Sequence, residues 1–199
     1  EQAISLEPDH LSCYGLQYEP DTPLAAKLAR GRVEAVAQEL EAEMYEWTCD
    51  RLPAAGWEQY EISNWARPGG RCRHNLVYWT GGSWLAMGPS AAGHLDGVRW
   101  RNVPRLTSWQ GSDGWPLLED LERLDDATRR GEQLMLELRL NRGIQLARLE
   151  RLLQGEGGER RRVAIETGRR DGLLEPGSDR LRLTARGRLL ADSLLCQLV

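Results

Sequence analysis

The strand–helix–strand order at the start of this chain constrains its fold more than any other feature. Residues 10–18 (H-L-S-C-Y-G-L-Q-Y) alternate, with Leu11, Cys13, Gly15 and Gln17 on one face and Ser12, Tyr14, Leu16 and Tyr18 on the other. Both faces are largely apolar, which suits a strand covered on both sides, as in a parallel α/β sheet. Residues 19–23 (E-P-D-T-P) end the strand in a loop. Residues 32–55 read as a long helix in which Val33, Val36, Leu40, Met44, Trp47 and Leu52 recur at 3–5-residue steps, with Gly56 as the stop. Residues 57–65 (W-E-Q-Y-E-I-S-N-W) read as a second strand, and the order predicts an α/β fold with parallel strands. Ahead of this unit, residues 1–6 resemble the end of a helix. The chain opens on Glu1 without Met, so a fragment of a longer protein is expected.

From Ala66 to Val103 the character changes: Gly, Trp, Arg and His abound and periodicity fades. Such a stretch is too long for an idle connector, because loops beyond about 12–15 residues are usually functional or disordered; its aromatic content argues against disorder. Gly111, Ser112, Asp113 and Pro116 mark a composition break, which divides the chain into residues 1–110 and 111–199. After it come helical patterns over 126–140, 145–153 and 160–172, a Gly-rich turn at 155–158, a short strand at 179–183 and a last helix over 184–198 with Leu189, Leu190, Leu194 and Leu195 inward. That layout is winged-helix-like. From Glu119 onward, 16 Arg face 15 Asp and Glu, a net of +1, too little for a module that must neutralise phosphates. Packing or protein contact is therefore expected of it, and no nucleic acid.

Composition sharpens these exclusions. The 199 residues carry a net charge of −4, against a general nucleic-acid binder. No run approaches the roughly 18 apolar residues of a membrane span, and no signal peptide is visible. Cys13, Cys49, Cys72 and Cys196 are not spaced as C-x-x-C or C-x-x-x-C-x-x-C, so no zinc or iron–sulfur motif is present. Four scattered cysteines without a secretion signal indicate free thiols in a reducing cytoplasm, with Cys13 a small core residue. The chain has no Phe but 8 Trp, and Lys27 is its one lysine among 26 basic residues, a bias that points to genome base composition rather than mechanism.

The densest chemistry lies in residues 60–79 (Y-E-I-S-N-W-A-R-P-G-G-R-C-R-H-N-L-V-Y-W). His74 follows Pro68, Gly69 and Gly70, so irregular backbone is expected to present it. A neutral imidazole there can ligate a metal or haem iron, or move a proton near pH 7. Tyr78 and Trp79 would form a flat aromatic wall. Arg71 and Arg73 can bind carboxylates bidentately, and Cys72 is a candidate second ligand or tuned thiolate. Together they suit a planar, carboxylate-bearing macrocycle. A structural reading stands beside this one: Asn75 caps a turn, the aromatics fill a core, His74 bonds a carbonyl and Cys72 is inert.

The run Y-E-I-S-N-W-A-R-P-G…C-R-H-N-L-V-Y-W-T-G-G closely resembles the oxygen-independent coproporphyrinogen III oxidase-like branch of the radical SAM superfamily, and within it the HemW-like haem chaperones. Residues 10–24 resemble that family's last barrel strand and following loop, residues 84–92 resemble its Gly-Pro-Gly-Ala-His segment, and the C-terminal helices resemble its C-terminal domain. The resemblance spans the chain, is specific at residues 60–80 and weakens after 105. It implies the C-terminal part of a partial (β/α)6 radical SAM barrel followed by a mostly helical winged-helix-like domain.

It also implies a site. The family's H-N-x-x-Y-W motif, linked to haem binding, falls on His74, Asn75, Tyr78 and Trp79. His74 would be an axial ligand or orienter of the iron, Tyr78 and Trp79 would pack on the porphyrin, and Arg71 or Arg73 would hold propionates. Glu19 would face the active-site end of the barrel, since barrel chemistry sits at strand C-termini; a solvated loop carboxylate is its plain reading. Where the family has Gly-Ala-His, this chain has Ser90, Ala91 and Ala92, with His94 two residues later. His10, at a strand start, is assigned no role. The 4Fe–4S cluster and S-adenosylmethionine belong to the family's N-terminal barrel half, so this chain alone should bind neither. The expected partners are haem, haem-acceptor proteins and that missing half, without which the open strand edges favour self-association. Two other functions stay open: part of a true coproporphyrinogen III oxidase that decarboxylates propionates, or a non-enzymatic interaction module.

Overall fold

The computed structural model describes residues 1–111 and 117–199. These residues cluster into two units, Glu1–Arg71 and Cys72–Val199. The division differs from 1–110 and 111–199 because strand pairing ties residues 98–102 to residues 118–123. Asp113 and Pro116 of the expected composition break lie outside the described residues.

The first unit runs α1 (Gln2–Ser5), β1 (His10–Ser12), α2 (Pro23–Ala29), α3 (Gln38–Ala54), β2 (Glu58–Glu61) and β3 (Asn64–Ala66). Its sheet has the order β1-β3-β2, with both outer strands antiparallel to β3. The two strands joined through the helix thus point the same way, as their order predicts, but β3 lies between them and no parallel ladder forms. Residues 57–65 are not one strand. A turn at Ile62 and Ser63 folds them into a hairpin with Glu61 opposite Asn64. The buried Glu61 carboxylate accepts from the Ser63 N–H at 3.1 Å and from the Asn64 side-chain amide, which fixes this turn without the Asn-Gly pair that usually announces one.

Only three residues of 10–18 pair as strand. Cys13 N–H still donates to the Ser63 carbonyl at 2.8 Å, and the chain then leaves the sheet with Tyr14 and Leu16 exposed. The helix begins at Gln38 rather than Arg32, so Val33 and Val36 precede it. Of the recurring apolar residues, Leu40, Met44 and Trp47 are half exposed or more (50%, 56% and 58%). The packed side is Tyr45, Cys49 and Leu52, which meet Trp57 and Trp65. Both sets have helical spacing, and one position is a turn of about 100°, so periodicity alone does not select the face. Cys13 joins this core, half-buried, as the sequence predicts.

The second unit begins with α4 (Arg73–Trp79), followed by β4 (Ala92–Leu95), β5 (Val98–Asn102), α5 (Leu106–Gln110) and β6 (Leu118–Arg123). Strands β4, β5 and β6 form an antiparallel meander in that order. Trp100 of β5 lies flat against Gly93, where any Cβ would collide with its indole. Arg99 ties this sheet down through Glu122 at 2.7 Å and Glu132 at 2.8 Å.

The rest runs α6 (Asp126–Leu138), β7 (Ile144–Gln145), α7 (Leu146–Leu152), α8 (Gly158–Arg170), β8 (Leu174–Pro176) and β9 (Arg180–Leu183), then α9 (Ala185–Leu189), α10 (Ala191–Leu195) and a 3₁₀ turn at Cys196–Leu198. Asp125 caps α6 by accepting the Thr128 N–H at 2.7 Å, and that bond holds its carboxyl below the usual range. The sheet order β7-β9-β8 completes the winged-helix-like layout; the expected single strand at 179–183 is the second arm of the β8–β9 hairpin. The expected last helix is broken at Leu190, leaving Leu189 and Leu190 partly exposed while Leu194 and Leu195 are buried. Leu134, Leu138, Ile144 and Leu198 fill the core. Arg161 is buried beside them without a carboxylate. Its guanidinium donates to the carbonyls of Leu198 (2.9 Å), Glu156 (3.0 Å) and Ala127 (2.5 Å).

Candidate functional site

Helix α4 carries most of the residues that the sequence singles out. Cys72 stands at its N-cap position as a half-buried free thiol, and Arg73 opens its first turn, exposed. His74 therefore stands on a helix and not on irregular backbone. The Pro68–Gly70 stretch precedes a regular turn, and seven residues from Arg73 to Trp79 adopt helical geometry. Residues four apart share a helix face, so His74 meets Tyr78: Nε2 and the phenol oxygen lie 2.7 Å apart, and the rings are edge-on with centroids 4.8 Å apart. His74 is exposed and Asn75 half-buried.

Tyr78 and Trp79 do not form one wall. Successive helical residues diverge by about 100°. Tyr78 turns to Trp84, edge-on at 4.4 Å between centroids, whereas Trp79 lies under the Arg139 guanidinium at 5.2 Å, with its own Nε1 buried and unbonded. Trp79 thus anchors α4 to α6, a structural contact. Arg71 belongs to the first unit, where it pairs with Glu58 at 3.3 Å and reaches over the Tyr60 ring at 6.0 Å. Glu19, also in the first unit, is exposed, and its carbonyl accepts the Thr22 hydroxyl at 2.8 Å. His10 meets the Tyr60 hydroxyl at 2.9 Å through Nε2, and burial pulls its pKa down.

The structure adds two residues that the motif does not contain. Trp84 and His94 exchange backbone hydrogen bonds (Trp84 N–H to His94 O, 2.8 Å; His94 N–H to Trp84 O, 3.0 Å). Their rings lie 5.1 Å apart. The Trp84 indole N–H donates to the Ala92 carbonyl at 2.9 Å, and His94 Nδ1 meets the Gly82 carbonyl at 2.9 Å. Four rings thus run in sequence: His74, Tyr78, Trp84, His94. Behind them the buried Asn102 amide donates to the Gly88 carbonyl at 2.9 Å and pins the connecting loop. The sequence signal for Trp84 and His94 lay in the Gly-rich stretch itself, but long-range pairing and not spacing joins them to α4.

The donor set is sparse. Among the described residues no group of three or more His, Cys, Asp or Glu is placed to hold a metal ion. Cys13 and Cys49 sit together in the core of the first unit, where burial first and then Cys49 push the Cys13 thiol up, while Cys72 and Cys196 belong to the second. Among the described residues an iron–sulfur cluster therefore finds no ligand set. A metalloporphyrin differs, because the macrocycle brings four equatorial nitrogens and asks the protein for one or two axial ligands. Imidazoles beside aromatic rings fit that requirement.

Comparison with known proteins agrees with this fold. Residues 124–190 match the family model described as HemN C-terminal domain. The chain is 40% identical over 197 residues to the heme chaperone HemW of Mycobacterium tuberculosis, across 98% of this chain and 48% of that protein. It is 31% identical over 194 residues to the heme chaperone HemW of Bacillus subtilis, across 96% of this chain and 51% of that one. The solved coproporphyrinogen III oxidase HemN of Escherichia coli superposes with a TM-score of 0.73 over 99% of this chain and 49% of its own, at 16% identity, which shows a shared fold. The class is therefore mixed α/β, with open sheets and a winged-helix-like C-terminal module, as in the corresponding part of HemN. The chain belongs to the HemW-like, coproporphyrinogen III oxidase-like family of radical SAM proteins. It spans about half the length of the curated relatives it matches. Among the described residues no helix is long and apolar enough to cross a membrane.

Proposed function

We propose that this chain is the haem-handling part of a HemW-like protein, which captures haem and delivers it to an acceptor protein. The observation that carries the reading is the ring sequence His74–Tyr78–Trp84–His94, which sets two imidazoles beside aromatic rings. An imidazole lone pair binds the iron, and aromatic faces cover the apolar porphyrin. Leu85 and Met87, exposed at 68% and 84% beside Trp84 in the chain, add apolar surface for it. Arg73 is the guanidinium suited to a propionate, since Arg71 is engaged with Glu58. Trp79 holds α4 on Arg139.

The cluster and S-adenosylmethionine are assigned to the remainder of a longer parent, whose barrel half also covers the exposed Leu40, Met44 and Trp47 of α3. Four scattered cysteines, with neither disulfide density nor a secretion signal, support a cytoplasmic setting. The test is an absorption titration with hemin. The wild-type chain is expected to saturate at micromolar hemin with a shifted Soret band, and His74→Ala to bind roughly tenfold more weakly, about 1.4 kcal/mol. No saturable binding would overturn the reading in favour of an interaction module. Propionate decarboxylation by a full-length parent that binds no haem would favour the oxidase.

A further inference from the structure

We infer that His94, not His74, supplies the axial ligand to the iron, and that His74 positions the porphyrin through Tyr78. The inference rests on the haem reading above and concerns which imidazole that reading uses.

The two histidines differ in how their nitrogens are engaged. In His74, Nε2 is held by the Tyr78 hydroxyl at 2.7 Å, so iron could reach that atom only by breaking the bond. In His94, it is Nδ1 that is engaged, with the Gly82 carbonyl at 2.9 Å. A carbonyl oxygen only accepts, so in the neutral ring Nδ1 carries the proton and Nε2 keeps its lone pair. This arrangement, one ring nitrogen donating to a main-chain oxygen while the other is left to the metal, orients metal-binding histidines generally. The ring is also fixed in advance. Its backbone is bridged to Trp84 on both sides, and its face lies 5.1 Å from the Trp84 ring. Asn102 and the Trp84 indole hold the loop behind it through the carbonyls of Gly88 and Ala92. A side chain already ordered loses little freedom on binding. His74 is exposed on a seven-residue helix, with its Nε2 and its ring turned to Tyr78.

The experiment compares wild type, His94→Asn, His94→Ala and His74→Ala in hemin titrations read by the Soret and visible bands. The Asn amide retains a donor for the Gly82 carbonyl but has no nitrogen lone pair for iron. His94→Asn is expected to lose the imidazole–iron spectrum and to bind at least about tenfold more weakly, and added imidazole is expected to restore that spectrum in His94→Ala. His74→Ala is expected to keep the imidazole–iron spectrum at reduced affinity. An unchanged spectrum in His94→Asn, together with its loss in His74→Ala, would overturn the inference while leaving haem binding intact; failure of the wild type to bind hemin would overturn both. Nitrogen NMR of the haem-free wild-type chain gives a readout independent of haem: His94 is expected with Nδ1 protonated and Nε2 bare, and the opposite tautomer would contradict the inference.

Discussion

Two single residues, Ser90 and His10, show where local strain and local charge enter. Ser90 sits at φ +59°, in the left-handed region that costs a residue with a Cβ roughly 1–2 kcal/mol. It lies in the loop between Trp84 and His94, so the strain is stored beside the ring sequence. Ser90→Gly should relieve it and, after the larger unfolded-state entropy of glycine, stabilise the protein by about 0.5–1 kcal/mol, read as a higher denaturant midpoint. A lower midpoint would show that the Ser90 side chain contributes more than the strain costs. His10 gives a pH signature. Burial holds its imidazole below the ordinary value near 6.5. The unfolded chain therefore takes up a proton more readily than the folded one. Stability should fall as pH drops from about 6.5 toward the lower folded value, then level off. His10→Gln should flatten that slope between pH 5 and 7.5, and equal slopes in the two proteins would contradict the assignment.

At the scale of elements, what was legible in the sequence was the type and order of segments, and what was not was their pairing. The helices of the C-terminal module, its strand and its winged-helix-like order could be read from periodicity, because each has a clear apolar repeat. The 57–65 hairpin could not, since its turn is set by Glu61 folding back onto Ser63 and Asn64 rather than by glycine. The packed face of α3 was not legible, because Leu40, Met44 and Trp47 have the same spacing as Tyr45, Cys49 and Leu52, and only contact with Trp57 and Trp65 decides between them. For the site, the residues of α4 were legible as a motif, while Trp84 and His94 were not, because a bridge between distant residues brings them in. Arg161 was likewise invisible: nothing local marks it as the buried staple of α6, α8 and the C-terminal turn. Arg161→Leu removes the guanidinium donors from three carbonyls and should destabilise the protein by roughly 2–4 kcal/mol. Arg161→Lys should recover little of this, because one ammonium lacks the spread of a guanidinium. Wild-type stability in either variant would refute the staple.

For the molecule as a whole, the fold leaves apolar surface uncovered. Tyr14, Leu16, Leu40, Met44 and Trp47 are all at least half exposed in the first unit. Surface of this kind favours association, as do the unpaired edges of β1 and β2. The isolated chain should therefore show a mass that rises with concentration in light scattering, and Leu40→Glu with Trp47→Glu should reduce it; a concentration-independent monomer would count against this. The winged-helix-like module offers a second surface, a groove of about 380 Å³ lined by Leu146, Leu149, Leu153, Ile165, Pro176 and Leu181, in which Arg162 pairs with Glu150 and Arg169 with Glu166. Under the proposed haem reading, porphyrin would lie elsewhere, along the rings between α4 and β4. The most direct measurement is the amide NMR spectrum of the chain with and without one equivalent of zinc protoporphyrin. The account predicts shifts concentrated in residues 73–103; shifts centred on the 146–181 groove, or none at all, would contradict it.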